Sequence, residues 1–140
     1  MYVVDASVWA SRFIPQDAHH LQSIRWLTST ILEGVPLAVP SMLLAEVAGA
    51  VARRLQRADL ARQAVHVVLN VPSIRLVSLD TNGLAERAAD VAATLQMKGS
   101  DAVYVAVASE YDFALVTWDD EQRERAANLV DARTPDHGPP

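Results

Sequence analysis

Cysteine is absent from this 140-residue chain. That removes a disulfide framework, a thiolate zinc site and a cysteine nucleophile, and it agrees with a reducing compartment. Long apolar runs are also missing. None approaches the about 18 residues of a membrane span, and no charged segment followed by an apolar one opens the chain, so the expectation is a soluble, cytoplasmic protein with no membrane partner. Glycine is scarce, at 5 residues, and none falls in a phosphate-cradling loop. Ser7 and Ser41 lack the G-x-S-x-G elbow, so P-loop and triad-hydrolase chemistry are poor readings. The histidines do not compensate: His19 and His20 fall near a helix start, His66 in an apolar helix and His137 in the tail, with no zinc-like spacing. Trp9, Trp26 and Trp118 read as packing residues. A net charge of −5 argues against broad adhesion to nucleic acid, because that attraction scales with the phosphates that Lys and Arg neutralise. A nucleic-acid substrate would need a local basic patch and a bound cation.

What the chain does have is a set of acids placed where an α/β sheet would collect them. Asp5 ends YVVD, Glu46 lies in MLLAEVAGAV, Asp101 opens GSDAVYVAVA and Asp119 follows FALVTWD. Ligands of open α/β sheets bind at the carboxyl ends of strands. Two like charges about 4 Å apart repel by roughly 1 kcal/mol in water and about 4 at an effective dielectric near 20. Such a gathering is tolerable mainly as a metal site.

The elements follow from periodicity. Tyr2-Val3-Val4, Leu37 to Val39, Ile74 to Val77 and Phe113 to Val116 read as strands, with Leu129-Val130 a possible last one. Helical spacing spans about Ala18 to Glu33, a stretch from Leu43 to Leu55 capped by Ser41, Ala58 to Leu69, and Asp80 or Thr81 to Gln96. AVYVAVAS has strand propensity, but Ser100 and Asp101 before it resemble a helix start, and a buried helix is the reading taken. Asp119 to Ala127 completes the helices. Alternation of strands and helices predicts a mostly parallel α/β sheet with helices on both faces. One domain over residues 1–131 and a flexible tail over 132–140 are expected.

Each candidate carries a plainer reading. Asp5 and Asp119 also suit helix N-caps, and Asp120 competes with Asp119 for that role. Asp101 also complements a positive helix end. Glu46, flanked by Leu44-Ala45 and Val47-Ala48, needs a partner; Arg53, seven residues on, is one possibility. Thr117 is placed to orient a neighbouring carboxylate. Arg53 and Arg57, in phase with Glu46, form either a solvated face or a phosphate-binding border, and Arg12 is a further candidate.

Taken together, YVVDASVW, PSMLLAEVAGAVARR, GSDAVYVAVA and LVTWDDEQRERA resemble, in order and spacing, the PIN-domain ribonucleases, particularly the VapC-like toxins of toxin–antitoxin pairs. The likeness runs from Tyr2 to about Val130. It implies a single five-stranded parallel sheet in the order 3-2-1-4-5, an acidic pocket for Mg²⁺ or Mn²⁺, and RNA hydrolysis. By motif, Asp5, Glu46, Asp101 and Asp119 match the family's acidic quartet, with Ser7 and Thr117 as supporting hydroxyls. Which of Asp119 and Asp120 faces the metal stays open. An all-oxygen pocket suits a hard divalent cation, whose bound water would be the nucleophile. The resemblance also implies a cognate antitoxin that places a basic side chain in the cleft, and a homodimer formed through the helices. Two rivals stand beside it: a noncatalytic interaction module of the same fold, and an aspartyl phosphoacceptor using Asp5. The second lacks the expected aspartate two residues on, where the chain has Ser7.

Overall fold

The computed structural model describes residues 1–136; positions 137–140, which include His137 and the end of the expected flexible tail, lie outside the described residues. A five-stranded parallel sheet in the order β3-β2-β1-β4-β5 organises the chain. Its strands are β1 (Tyr2–Val4), β2 (Leu37–Pro40), β3 (Ile74–Val77), β4 (Ala114–Val116) and β5 (Ala132–Arg133). The helices are α1 (Ala6–Phe13), α2 (His20–Leu32), α3 (Leu43–Leu55), α4 (Ala58–Leu69), α5 (Leu84–Leu95), α6 (Gly99–Tyr111) and α7 (Asp120–Ala126), and they flank the sheet on both faces. Class, strand order and direction match what the residues and the resemblance implied.

Burial explains the composition of each strand. Every residue of β1 and β2 is buried, as continuous apolar runs covered on both faces require. Edge strand β3 exposes Arg75 and Leu76, and a charge there discourages pairing with a further chain. α6 is the pillar of the core. Ala102 through Ala108 are all buried, because the helix packs on β1, β2 and β4 while α5 lies against it. That burial resolves the strand-like segment in favour of helix: a run apolar all round suits a helix enclosed all round.

Four local expectations shift. α1, which spacing did not delimit, occupies 6–13 before the longer helix begins at His20. Ser41 does not cap α3; its backbone N–H goes to the Val77 carbonyl at 2.9 Å and extends the β2–β3 ladder, so the cap is Met42 without a side-chain bond. α5 starts at Leu84, not at Asp80 or Thr81, because Asn82 and Gly83 hold φ of 48° and 71° in the left-handed region, which a helix interior excludes. The last strand is Ala132–Arg133, not Leu129-Val130, whose amides bond to the Ala126 carbonyl at 2.8 and 3.0 Å and close α7. The tail expected from 132 therefore begins with two residues of sheet.

Candidate active site

β1 lies at the point where the strand order reverses, with β2 on one side and β4 on the other. The crevice beyond the carboxyl ends of β1 and β4 is where such sheets bind ligands. Asp5 and Asp119 close those two strands. Asp5 is buried, 7 % exposed, and its backbone N–H bonds to Val116 O at 2.9 Å, prolonging the ladder with β4. Its carboxylate caps α1 by accepting from Ser7 N at 2.8 Å on Oδ2, and Oδ1 accepts from Gln122 Nε2 at 3.4 Å. Asp119 caps α7 by accepting from Gln122 N at 2.9 Å, while its own N–H donates to Thr117 Oγ1 at 3.0 Å. The plainer reading is thus realised for both acids. It does not exhaust them, because the two caps end paired strands and the Asp119 charge acts on Asp5.

Ser7 and Thr117 join the two strand ends. Their hydroxyls are 3.4 Å apart, and Ser7 Oγ accepts from Trp118 N at 3.1 Å. The Asp119-Asp120 doublet divides its work: Asp120 pairs with Arg123 at 2.7 Å and its side chain is 78 % exposed, whereas Asp119 turns inward. Glu46 and Asp101 come from the first turns of α3 and α6 and are half-buried. Glu46 accepts from Tyr104 Oη at 2.5 Å. Arg53 is not its partner.

The acids feel one another. Burial pushes the Asp5 carboxyl up, against the lowering effect of its bonds from Ser7 and Gln122, and the Asp119 charge pushes it further. Burial also raises Glu46, opposed by the Tyr104 bond and reinforced by the charges of Asp5 and Asp101. Asp101 is raised by burial and then by Asp5 and Asp119; Lys98 opposes this and Glu121 adds to it. Asp5 therefore sits electrostatically between the other three. The Tyr104 hydroxyl is held far above its ordinary range by burial and by the charges of Asp5 and Glu46, so it remains a donor.

The arginines separate. Exposed Arg53, on α3, and Arg54 line a groove of about 330 Å³ that also touches Ser7 and Trp118, beside the acids. Arg57 does not share that face: Gln56, with φ of 54°, ends α3, and Arg57 binds Asp59 through Nε at 2.8 Å and Nη2 at 2.5 Å. Its guanidinium holds Asp59 down to about 2. Arg12 lies in the last turn of α1 with its guanidinium 5.8 Å from the Phe13 ring centre and Nη1 buried without a hydrogen bond; among the described residues no ion pair ties it to the acids. A larger cavity, about 560 Å³, lies elsewhere, against Tyr2 and Ala114, the first residues of β1 and β4. Size favours that cavity, but the acids follow the other ends of those strands, and chemistry decides for them.

Among the described residues, no group of three or more His, Cys, Asp or Glu stands in an arrangement that could hold a metal ion as placed. The fit of the site to a cation rests on donor chemistry. Three carboxyls raised first by burial and then by neighbouring carboxylate charge, with Lys98 opposing the rise at Asp101, favour a hard divalent ion that keeps several of its waters.

Sequence reasoning missed Tyr104 and Gln122. A hydroxyl in an otherwise apolar helix needs a partner, which was the signal for Tyr104; Glu46 supplies it. Asp119-x-x-Gln122 has the spacing of a capping box, yet the Gln122 amide reaches not back to its own cap but across to Asp5 and to Asp101 O, both at 3.4 Å. Gln122 is almost wholly buried, and its Oε1 has no hydrogen-bond partner.

Comparison with known proteins agrees with the fold. A family model described as PIN domain matches residues 2–128. No curated protein matches. Among solved structures, Mycobacterium tuberculosis VapC20, a sarcin–ricin loop cleaving toxin, superposes with a TM-score of 0.76 at 22 % identity, over 94 % of this chain and 98 % of that one. VapBC2 from Rickettsia felis, bound to a DNA fragment from its promoter, gives 0.72 at 13 % identity, over 95 % and 97 %. FitAcB from Neisseria gonorrhoeae gives 0.69 at 21 %, over 98 % and 99 %. At these identities the likeness is one of fold.

Proposed function

Because the chain belongs to the PIN domain family, we propose that it is a metal-dependent ribonuclease and the toxin of a toxin–antitoxin pair. The observation that carries this reading is the placement of Asp5 and Asp119 as helix caps at the adjoining ends of β1 and β4, with Asp101 and Glu46 close enough to Asp5 for its charge to raise both. In this reading Asp5, Asp101 and Asp119 hold Mg²⁺ or Mn²⁺ directly or through water, and Glu46 holds the ion or positions the attacking water. When bound, the ion supplies an activated water and neutralises charge developing on the scissile phosphate.

The chain's own groups supply the rest. Thr117 fixes the Asp119 backbone, and Ser7 fixes that of Trp118. Tyr104 keeps the Glu46 carboxylate turned inward, and Gln122 links Asp5 to the cap of α7. Arg53 offers a guanidinium to phosphates entering the groove. A cognate antitoxin and a homodimer formed through the helices are proposed with it, since structural neighbours are toxin–antitoxin complexes. Among the described residues no helix is long and apolar enough to cross a membrane.

The test is a panel of structured and single-stranded RNAs incubated with Mg²⁺, Mn²⁺ or chelator, beside an Asp5→Asn, Asp101→Asn double variant. Metal-dependent cuts absent from the variant are expected. Mn²⁺ at about 100 times its dissociation constant should also stabilise the parent by roughly 2.7 kcal/mol and the variant far less. Equal metal stabilisation of both proteins would overturn the site. A noncatalytic module would bind its partner and cut nothing under any metal.

A further inference from the structure

One of the three tryptophans behaves unlike the others. Trp9 and Trp26 are core residues, 0 % and 5 % exposed. Trp118 is only half-buried, and its indole lies parallel to the His19 ring, with centroids 3.9 Å apart and planes 8° from coincident. Protein aromatic pairs ordinarily settle edge-on or offset at about 4.5–7 Å. The close, flat pairing resembles successive bases in a nucleic-acid stack.

The slab is held from behind. Trp118 Nε1 donates to Ser23 Oγ at 2.8 Å, and Ser23, fully buried, shares a 2.6 Å bond with Ser11 Oγ. His19 N bonds to Asp17 Oδ1 at 2.9 Å. Both rings line the groove of about 330 Å³, within the roughly 300–1,000 Å³ of small-ligand clefts. Arg53 and Arg54 line the same groove; Arg54 is engaged by Asp17 at 3.5 Å, which leaves Arg53 as the groove cation without an ion pair among the described residues.

The groove adjoins the acids through one residue. Ser7 donates its N–H to Asp5 and accepts the Trp118 N–H, and Trp118 immediately precedes Asp119. We propose that the His19–Trp118 slab seats an unpaired RNA base of a nucleotide flanking the cleaved bond, and so selects single-stranded or splayed-out segments. The proposal rests on the ribonuclease reading and deepens it. A flat ring beside a guanidinium is the pairing by which single strands are bound, since every base offers a face to stack and every nucleotide a phosphate. A duplex has its faces already stacked and cannot use the slab.

The test compares a fluorescein-labelled short oligoadenylate with an abasic ribose–phosphate chain of equal length, in chelator, by fluorescence anisotropy. The parent protein should bind the base-bearing chain about tenfold or more tighter, the scale of one stacked base. His19→Ala and Trp118→Leu should erase that ratio without changing affinity for the abasic chain, and Trp118→Phe should retain most of it. Arg53→Gln should weaken both probes alike. His19→Ala carries the test should Trp118→Leu fail to fold. A ratio near one in the parent protein, or one unmoved by His19→Ala, overturns the slab. Metal-dependent cleavage persisting beside such a result leaves the ribonuclease reading standing; loss of both cleavage and binding removes both.

Discussion

The bond from Tyr104 to Glu46 allows a test of the crevice that needs neither RNA nor metal. Tyr104→Phe removes one oxygen from a side chain 1 % exposed and keeps the ring that fills the core. The Glu46 carboxylate then loses its partner. A hydrogen bond to a charged group contributes about 1.5–3 kcal/mol. With an unfolding entropy of about 2.1 cal/mol/K per residue, that loss lowers the melting temperature by roughly 5–10 °C for a chain of 140 residues.

The pH dependence identifies the cause. Glu46 is already raised in the folded protein, and the Tyr104 bond is what opposes the rise. Removing that bond raises the folded pKa further. Below the ordinary carboxylate range Glu46 is protonated in both proteins, and the penalty is that of a neutral bond, nearer 1 kcal/mol. As pH climbs through the raised pKa values the parent ionises first and the variant later, so the penalty grows toward neutrality. Scanning fluorimetry of both proteins across mildly acid to neutral pH, in chelator, measures the difference. A penalty equal at every pH would show that the lost bond owes nothing to the Glu46 charge, and the electrostatic account of the crevice would fail with it.

Asp5 separates its two roles in a pair of variants. Its folded pKa is raised, so ionising it costs stability as pH rises; Asp5→Asn, which caps a helix as well, should melt at the same or a higher temperature at neutral pH in chelator and cut no RNA. Asp5→Ala should lose about 1 kcal/mol because Ser7 N–H loses its acceptor; calorimetry in which Asn is as destabilising as Ala would make the carboxylate purely structural. Arg53→Gln should flatten the salt dependence of single-stranded RNA binding by roughly 0.7 per lost phosphate contact. Arg57→Gln, at a residue engaged by Asp59, should leave the slope unchanged, and the reverse ranking in a salt titration would contradict the groove described here.

Strand identity and the acids were legible because burial writes itself into sequence. YVVD is apolar up to the residue where the crevice opens, and Glu46 stands out among alanines, leucine and valine because a charge there needs a reason. What failed was whatever depends on one backbone angle. The face shared by Glu46, Arg53 and Arg57 exists only while α3 continues, and the left-handed turn at Gln56 has no signature such as Gly. Leu129-Val130 has strand composition but spends its amides on α7. Gln122 showed the spacing of a cap, while its amide went to an acid 117 positions away, a choice made by tertiary structure alone.

That span bears on how the protein is made. Synthesis runs from the amino end, so Asp5 emerges long before α7, and the amide that touches it arrives 117 residues later. β1 needs β4 on one flank, and the cap that turns Asp119 inward needs Gln122. Contacts between residues so distant in the chain form late, after the entropy of closing the loop has been met. A nascent chain shorter than about 120 residues therefore holds Asp5, Glu46 and Asp101 without the fourth acid or the amide. Whatever the crevice does, it does only once synthesis has passed Gln122, and the position of β1 in the middle of the sheet sets that delay.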